Sequence, residues 1–133
     1  MAHEITEKFI EALRELEENR DVEKIAALFS DDAEVHNVVT IENSHDLSPQ
    51  EFWQKYRDNF GEVHSEFKNK ISGEKSSALE WTTTGTGADG GEVNYEGVSI
   101  LETDGERITR FFAYFNPSKL GRQIEETARG KEA

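Results

Sequence analysis

The residues of this chain best suited to moving protons are few and scattered. Among its 133 residues there is no cysteine, and there are four histidines. An unperturbed imidazole titrates near neutral pH, so His36, His45 and His64 are the first groups to weigh for acid/base work. His45 precedes Asp46, and a carboxylate in contact with an imidazole can orient or charge it. His36 lies in Asp31-Asp32-Ala33-Glu34-Val35-His36-Asn37, two acids followed by an alternating segment. The catalytic candidates are therefore His36, His45 and Asp46, and the competing reading of His36 is a structural histidine. No thiolate chemistry is available, and the histidines do not show metal-ligand spacing. The glycine-rich run from Gly85 to Gly91 opens no helix, so it does not read as a phosphate loop. No metal and no cofactor are expected.

These residues sit on elements that the apolar spacing predicts. Ile5, Phe9, Ala12, Leu13 and Leu16 form one stripe of a helix over residues 5–16. Asn19-Arg20-Asp21 interrupts it, and a second helix carries Val22, Ile25, Ala26 and Phe29 and ends near Ser30. In the strand that follows, Ala33, Val35 and Asn37 share one face and Glu34 and His36 the other. The run Val38 to Ile41 extends or turns that strand, and residues 42–47 read as a loop. Ser48-Pro49-Gln50-Glu51 is a capping box with proline at the first helical position. Behind it Phe52, Trp53, Tyr56 and Phe60 form a buried stripe, and Gly61 is expected to close the helix.

From Val63 onward the pattern turns to strands, at residues 63–72, 76–87, 92–103 and 107–115. They are separated by the turn signals Gly73-Glu74, Ala88 to Gly91 and Asp104-Gly105. Asn116-Pro117 opens a last short helix with Leu120 and Ile124. Helices first and strands later make this an α+β chain. Residues 1–127 read as a single domain and 128–133 as a polar tail.

The formal net charge is −13. Binding nucleic acid requires a basic surface that displaces counterions, so neither that partner nor an anionic membrane suits this chain. No apolar run approaches the length of a membrane span. The start has no basic segment followed by an apolar run, so a cytoplasmic location is expected.

The stretches from Asp21 to Asn37, from Ala78 to Gly87 and from Tyr95 to Ile124 resemble SnoaL-like proteins of the nuclear-transport-factor-2-like superfamily, relatives of polyketide cyclases and ketosteroid isomerases. The resemblance covers nearly the whole chain. It implies a cone-shaped α+β barrel, with a strongly curved antiparallel sheet wrapped around the N-terminal helices. It also implies a pocket inside the cone and, often, a dimer. The face carrying Trp81, Ser99 and Phe111 is implied to look inward. The expected ligand-binding wall is then Asn37, Tyr56, Trp81, Thr83, Tyr95, Ser99 and Phe111, with Trp53 beside it. Such a wall suits a small apolar or aromatic molecule.

The isomerase machinery of the superfamily does not carry over. Its base position falls on Asn37, whose amide cannot take a proton at neutral pH. Its helical tyrosine position falls on Phe9, and its second acid falls near Ser99. The epoxide-hydrolase acids would fall on Ala113 and Asn116. By alternation Glu80 and Glu96 point away from the cone, so no inward acid is expected. The outward parity of Val98, Ile100, Ile108, Phe112 and Tyr114 leaves an apolar outer face, which a second subunit in a homodimer or the last helix folding back would cover. Two functions fit: cofactor-free isomerase, cyclase or hydrolase chemistry, or a non-catalytic ligand-binding or dimeric interaction module.

Overall fold

The structure, a computed structural model, describes residues 2–38 and 47–116. His45, Asp46, the expected last helix and the 128–133 tail lie outside the described residues. The elements run α1 (Ala2–Asn19), α2 (Val22–Ala26), β1 (Phe29–Asn37), α3 (Pro49–Asp58), β2 (Phe60–Ser72), β3 (Ser76–Gly87), β4 (Glu92–Thr103) and β5 (Ile108–Phe115). This is the expected α+β order, with helices ahead of a curved sheet.

Local chemistry accounts for the helix ends. Arg20 adopts a left-handed conformation with φ 59°. Its N–H closes the last turn on the Leu16 carbonyl at 3.0 Å, and the left-handed turn brings the Asp21 N–H back to the Glu15 carbonyl at 3.4 Å, ending α1. Asp21 then caps α2 through the Lys24 N–H. At α3 the Ser48 hydroxyl accepts from the Glu51 N–H, and the Glu51 carboxylate accepts from the Ser48 N–H, each at 3.1 Å. The expected capping box is therefore formed. The Glu51 carboxyl is held below the ordinary glutamate range, chiefly by the Ser48 backbone bond.

The sheet order is β1-β5-β4-β3-β2. β2 to β5 form the expected antiparallel meander, and β3 and β4 have the expected ends. Three local expectations are corrected. β1 pairs parallel to β5, so the sheet is mixed, and with β1 and β2 as its two edges it stays open. After β1 the chain crosses through α3 to the far edge; β5 therefore meets β1 only after three antiparallel reversals. The second helix ends at Ala26, and the strand already begins at Phe29, because Phe29 pairs with Ile108. Gly61 lies inside β2, since α3 ends in right-handed geometry at Asn59.

The inner face is a set of cross-strand rows, which is the unit that packs a sheet. Ser65, Thr83 and Tyr95 form one row, and Phe67, Trp81, Gly97 and Phe115 the next. Leu79, Ser99, Ala113 and Asn37 follow, then Ser77, Leu101, Phe111 and Val35. The α1 stripe covers these rows, with Phe9 and Leu16 almost fully buried. Each large side chain buried this way is worth roughly 1.5–3 kcal/mol.

One parity expectation fails for a definable reason. Thr103 pairs with Ile108 while Glu102 pairs with Arg110, so Thr109 is an extra residue in β5. Its hydroxyl donates to the Glu102 carbonyl at 3.2 Å. The bulge turns Ile108 inward, where it is completely buried, rather than onto the outer face.

Candidate functional site

The expected wall residues of the sheet lie on its inner face, Trp53 and Tyr56 stand on α3, and together they fall into two groups. Trp53 contacts Phe111, Phe9, Phe29, Phe52 and Tyr56, with ring centroids 4.9–6.1 Å apart. Tyr56 continues through Phe60 to Tyr95, and Tyr95 to Trp81 and Phe115. The rings thus form a continuous aromatic cluster within the core, mostly in edge-on contacts that suit their quadrupoles. The Trp53 indole N–H is buried and has no hydrogen-bond partner among the described residues.

Trp81 is seated by two features. Its indole N–H donates to the Ser99 hydroxyl at 2.9 Å. Gly97 leaves the space beneath the ring, since a Cβ there would come within 2.8 Å of Trp81 Cζ2. Asn37 lies in the same row as Ser99, with Ala113 between them, and is half-buried. It sits on the β1 edge, at the opposite side of the sheet from Ser65 on β2. The structure therefore brings Tyr56, Thr83 and Tyr95 together, and sets Asn37 and Ser99 apart from them.

Around the first group stands a carboxylate absent from the sequence-based candidates. Glu17 of α1 is only 5% exposed. The Tyr56 hydroxyl donates to its Oε2 at 2.8 Å and the Ser65 hydroxyl at 2.6 Å. The Ser65 N–H donates to Oε1 at 2.9 Å. Ser65 Oγ also lies 2.7 Å from Thr83 Oγ1. The single hydroxyl proton of Ser65 goes to the carboxylate, so Thr83 is the donor in that last bond. The whole chain of hydroxyls thus points toward Glu17.

The expectation of no inward acid is overturned here. Glu80 and Glu96 on the sheet are exposed, as their parity requires. The inward acid comes from the helix instead. Its signal was present in the spacing, because Glu17 continues the i, i+4 series of Ile5, Phe9 and Leu13. Ser65 likewise shares the parity of Val63 and Phe67.

The energetics favour a held carboxylate rather than a stabilising one. Hydrogen bonds to a charged group contribute about 1.5–3 kcal/mol each, against a desolvation cost of several kcal/mol for a buried ion. Burial raises the Tyr56 phenol well above the ordinary tyrosine range, with the Tyr95 and Glu17 charges adding to it. Burial, then the Glu17 charge, does the same to Tyr95. Both rings stay neutral across physiological pH.

Arg57 supports the same corner. It is 4% exposed and donates to the carbonyls of Leu16, Phe60 and Gly61 at 3.1, 2.9 and 3.0 Å. Burial, then the neighbouring Arg20 charge, lowers its pKa. It ties the end of α1 to the start of β2, on either side of the Glu17 and Ser65 contact.

Between α1 and β2 opens a cleft of about 420 Å³ lined by Ile10, Leu13, Arg14, Glu17, His64, Ser65, Glu66 and Phe67. His64 is exposed and lies 3.6 Å from Glu66. His36 stands on the outer face, 6.3 Å from the Phe112 ring, with its Nδ1 buried and unpartnered among the described residues. No group of three or more His, Asp or Glu side chains gathers to hold a metal among the described residues. No helix among them is long and apolar enough to cross a membrane.

N-terminal helices on the concave face of an open, curved sheet define the nuclear-transport-factor-2-like α+β class. Solved structures of that class superpose on this chain. An NTF2-like protein of unknown function from Burkholderia pseudomallei has a TM-score of 0.74 at 14% identity, over 92% of this chain and 95% of that one. An LEH-like epoxide hydrolase from M. tuberculosis gives 0.66 at 17%, over 90% and 89%. A hypothetical protein with a ketosteroid isomerase-like fold from Catenulispora acidiphila, in complex with trimethylamine, gives 0.71 at 15%, over 87% and 91%. The SnoaL-like domain model matches residues 7–111, and the chain belongs to that family. No curated protein matches the sequence.

Proposed function

We propose that this SnoaL-like protein holds a small, largely apolar or aromatic molecule against its aromatic lining and handles it without a cofactor. The observation that supports this is the ring series from Trp53 to Trp81, contributed by helix and sheet and edged by the neutral polar groups of Asn37, Thr83 and Ser99. Pockets for small molecules have this make-up: apolar walls with a few placed hydrogen-bonding groups. Isomerase, cyclase or hydrolase chemistry suits such a lining.

The test is a titration with naphthol, followed by quenching of the two tryptophans. Saturable quenching at micromolar concentrations, weakened in Trp81→Leu, is expected. Quenching that stays linear into the millimolar range overturns the reading. A non-catalytic binding module is the second reading, favoured by the neutral side chains at Asn37 and Phe9, where an isomerase of the superfamily would carry its base and its phenol.

The reading includes a homodimer through the outer sheet face. There Val98 and Tyr114 are 37% and 46% exposed, beside the Phe112 ring. Sedimentation at micromolar concentration is expected to give a dimer; a monomer alone removes this part of the reading.

A further inference from the structure

We infer that Glu17 is the base of an acid/base centre built on α1 and α3, which takes a proton from an apolar or aromatic carbon acid lying in the cleft between α1 and β2. The inference goes beyond the small-molecule reading above, because its site is the cleft between α1 and β2 and not the ring series from Trp53 to Trp81. A base was sought on β1 and is not there: Asn37 carries an amide. A carboxylate with a phenol donor nevertheless exists on the opposite side of the sheet.

Four observations support the assignment. Glu17 lines the cleft while being almost wholly buried. Oε2 already takes two hydrogen bonds and Oε1 only one, which leaves Oε1 a lone pair for a substrate proton. Ile10, Leu13 and Phe67 supply an apolar side, Arg14, His64 and Glu66 a polar rim, and a cleft of about 420 Å³ is of the size that takes a small ligand. Tyr56, kept neutral by burial, remains a donor through the whole working pH range. Tyr56 is thus a positioning residue. It fixes the carboxylate and follows its change of charge, as the Thr83–Ser65 pair does on the other side.

In the step itself, Oε1 forms an O–H bond as the substrate C–H bond breaks. The electron pair released moves into the substrate, onto a carbonyl oxygen or a leaving group. Glu17 then returns the proton to a second position or to water, so no oxidant, reductant or metal is consumed.

The probe is 5-nitrobenzisoxazole. Removal of its ring proton by a carboxylate forms the nitrile as the N–O bond breaks, and the pair remains on oxygen as a coloured cyanonitrophenolate. The protein is expected to exceed acetate, at equal carboxylate concentration, by about 100-fold or more, the usual scale of positioned general-base catalysis. Glu17→Gln, which keeps the shape of the side chain, should return the rate to background. Glu17→Asp should retain part of it. Tyr56→Phe, which removes the donor that fixes the carboxylate, should lower kcat several-fold while leaving KM unchanged.

Ile10→Trp, which fills the cleft and leaves the Glu17 hydrogen bonds in place, should also lose the rate; it covers the case in which the Glu17 variants do not fold. A native protein no faster than acetate overturns the inference, as does a folded Glu17→Gln that keeps the rate. Naphthol binding read in parallel separates the two proposals. Binding without turnover removes the base and leaves the lining; turnover without naphthol binding does the reverse.

Discussion

Gly97→Ala should be one of the most damaging small substitutions in this protein, for reasons that can be worked out in numbers. A Cβ at Gly97 would collide with the Tyr114 carbonyl of β5 and would stand 2.8 and 3.0 Å from Trp81 Cζ2 and Cη2. Neither neighbour gives way cheaply. The carbonyl belongs to a strand paired in register with β4, and the indole is packed against Tyr95 and bonded to Ser99. Forcing a methyl group into a packed core costs about 1–3 kcal/mol. If the indole tilts away, the Trp81–Ser99 hydrogen bond is lost as well, adding about 1 kcal/mol. The sum is about 2–4 kcal/mol, and in a chain of this size that lowers Tm by about 10 °C.

Thermal unfolding followed by circular dichroism measures the loss. Tryptophan emission, moving to longer wavelength as Trp81 meets water, identifies its cause. In a Trp81→Leu background the same substitution should cost less, because only the carbonyl collision remains. If Gly97→Ala melts within about 2 °C of the parent with unchanged emission, the seat assigned to Trp81 is wrong. Naphthol affinity should fall in the same variant, which ties the packing argument to the proposed ligand.

Arg57→Met should destabilise the fold by about 3 kcal/mol, since three carbonyls at the α1–β2 junction lose their donor while only part of the guanidinium desolvation cost is recovered. A urea midpoint unchanged from the parent would show that Arg57 does not clasp this corner. The pH dependence has a definite sign. The Tyr56 and Tyr95 pKa values are raised by folding, so their contribution is complete below the unfolded value of about 10 and is lost as pH rises beyond it. The melting temperature should therefore hold up to about pH 9.5 and then fall, less steeply in Tyr56→Phe. Ultraviolet detection of Tyr56 and Tyr95 tyrosinate near pH 10 in the folded protein would contradict it.

Much of this molecule was legible in its residues because the relevant signals are local. The Ser48 to Glu51 capping box defines the start of α3 without reference to anything distant. The Gly and Asp turn residues bound β3 and β4, and period-two alternation separates Trp81, Ser99 and Phe111 from Glu80 and Glu96. The α+β order follows from those patterns, while the choice of which face looks inward comes from the family resemblance. Other features depend on pairing between distant segments. The bulge at Thr109 reverses the face of Ile108, and nothing in Ile108-Thr109-Arg110 announces an extra residue. The parallel seat of β1 against β5 depends on which edge the meander leaves free. Gly61 looked like a helix stop, yet it continues a strand because β2 pairs with β3 there.

The candidate site divides the same way. Helical spacing places Glu17 on the buried stripe of α1, and that much belongs to the sequence. What it cannot contain is the set of donors that makes a buried carboxylate tenable, because Tyr56 lies 39 residues away and Ser65 lies 48. A charged side chain on an apolar stripe is read as exposed unless its partners are in view, since an unpaired buried ion is prohibitively costly. Only the tertiary structure brings α1, α3 and β2 together at that point, and so only it could show a buried carboxylate at the β2 edge of the sheet.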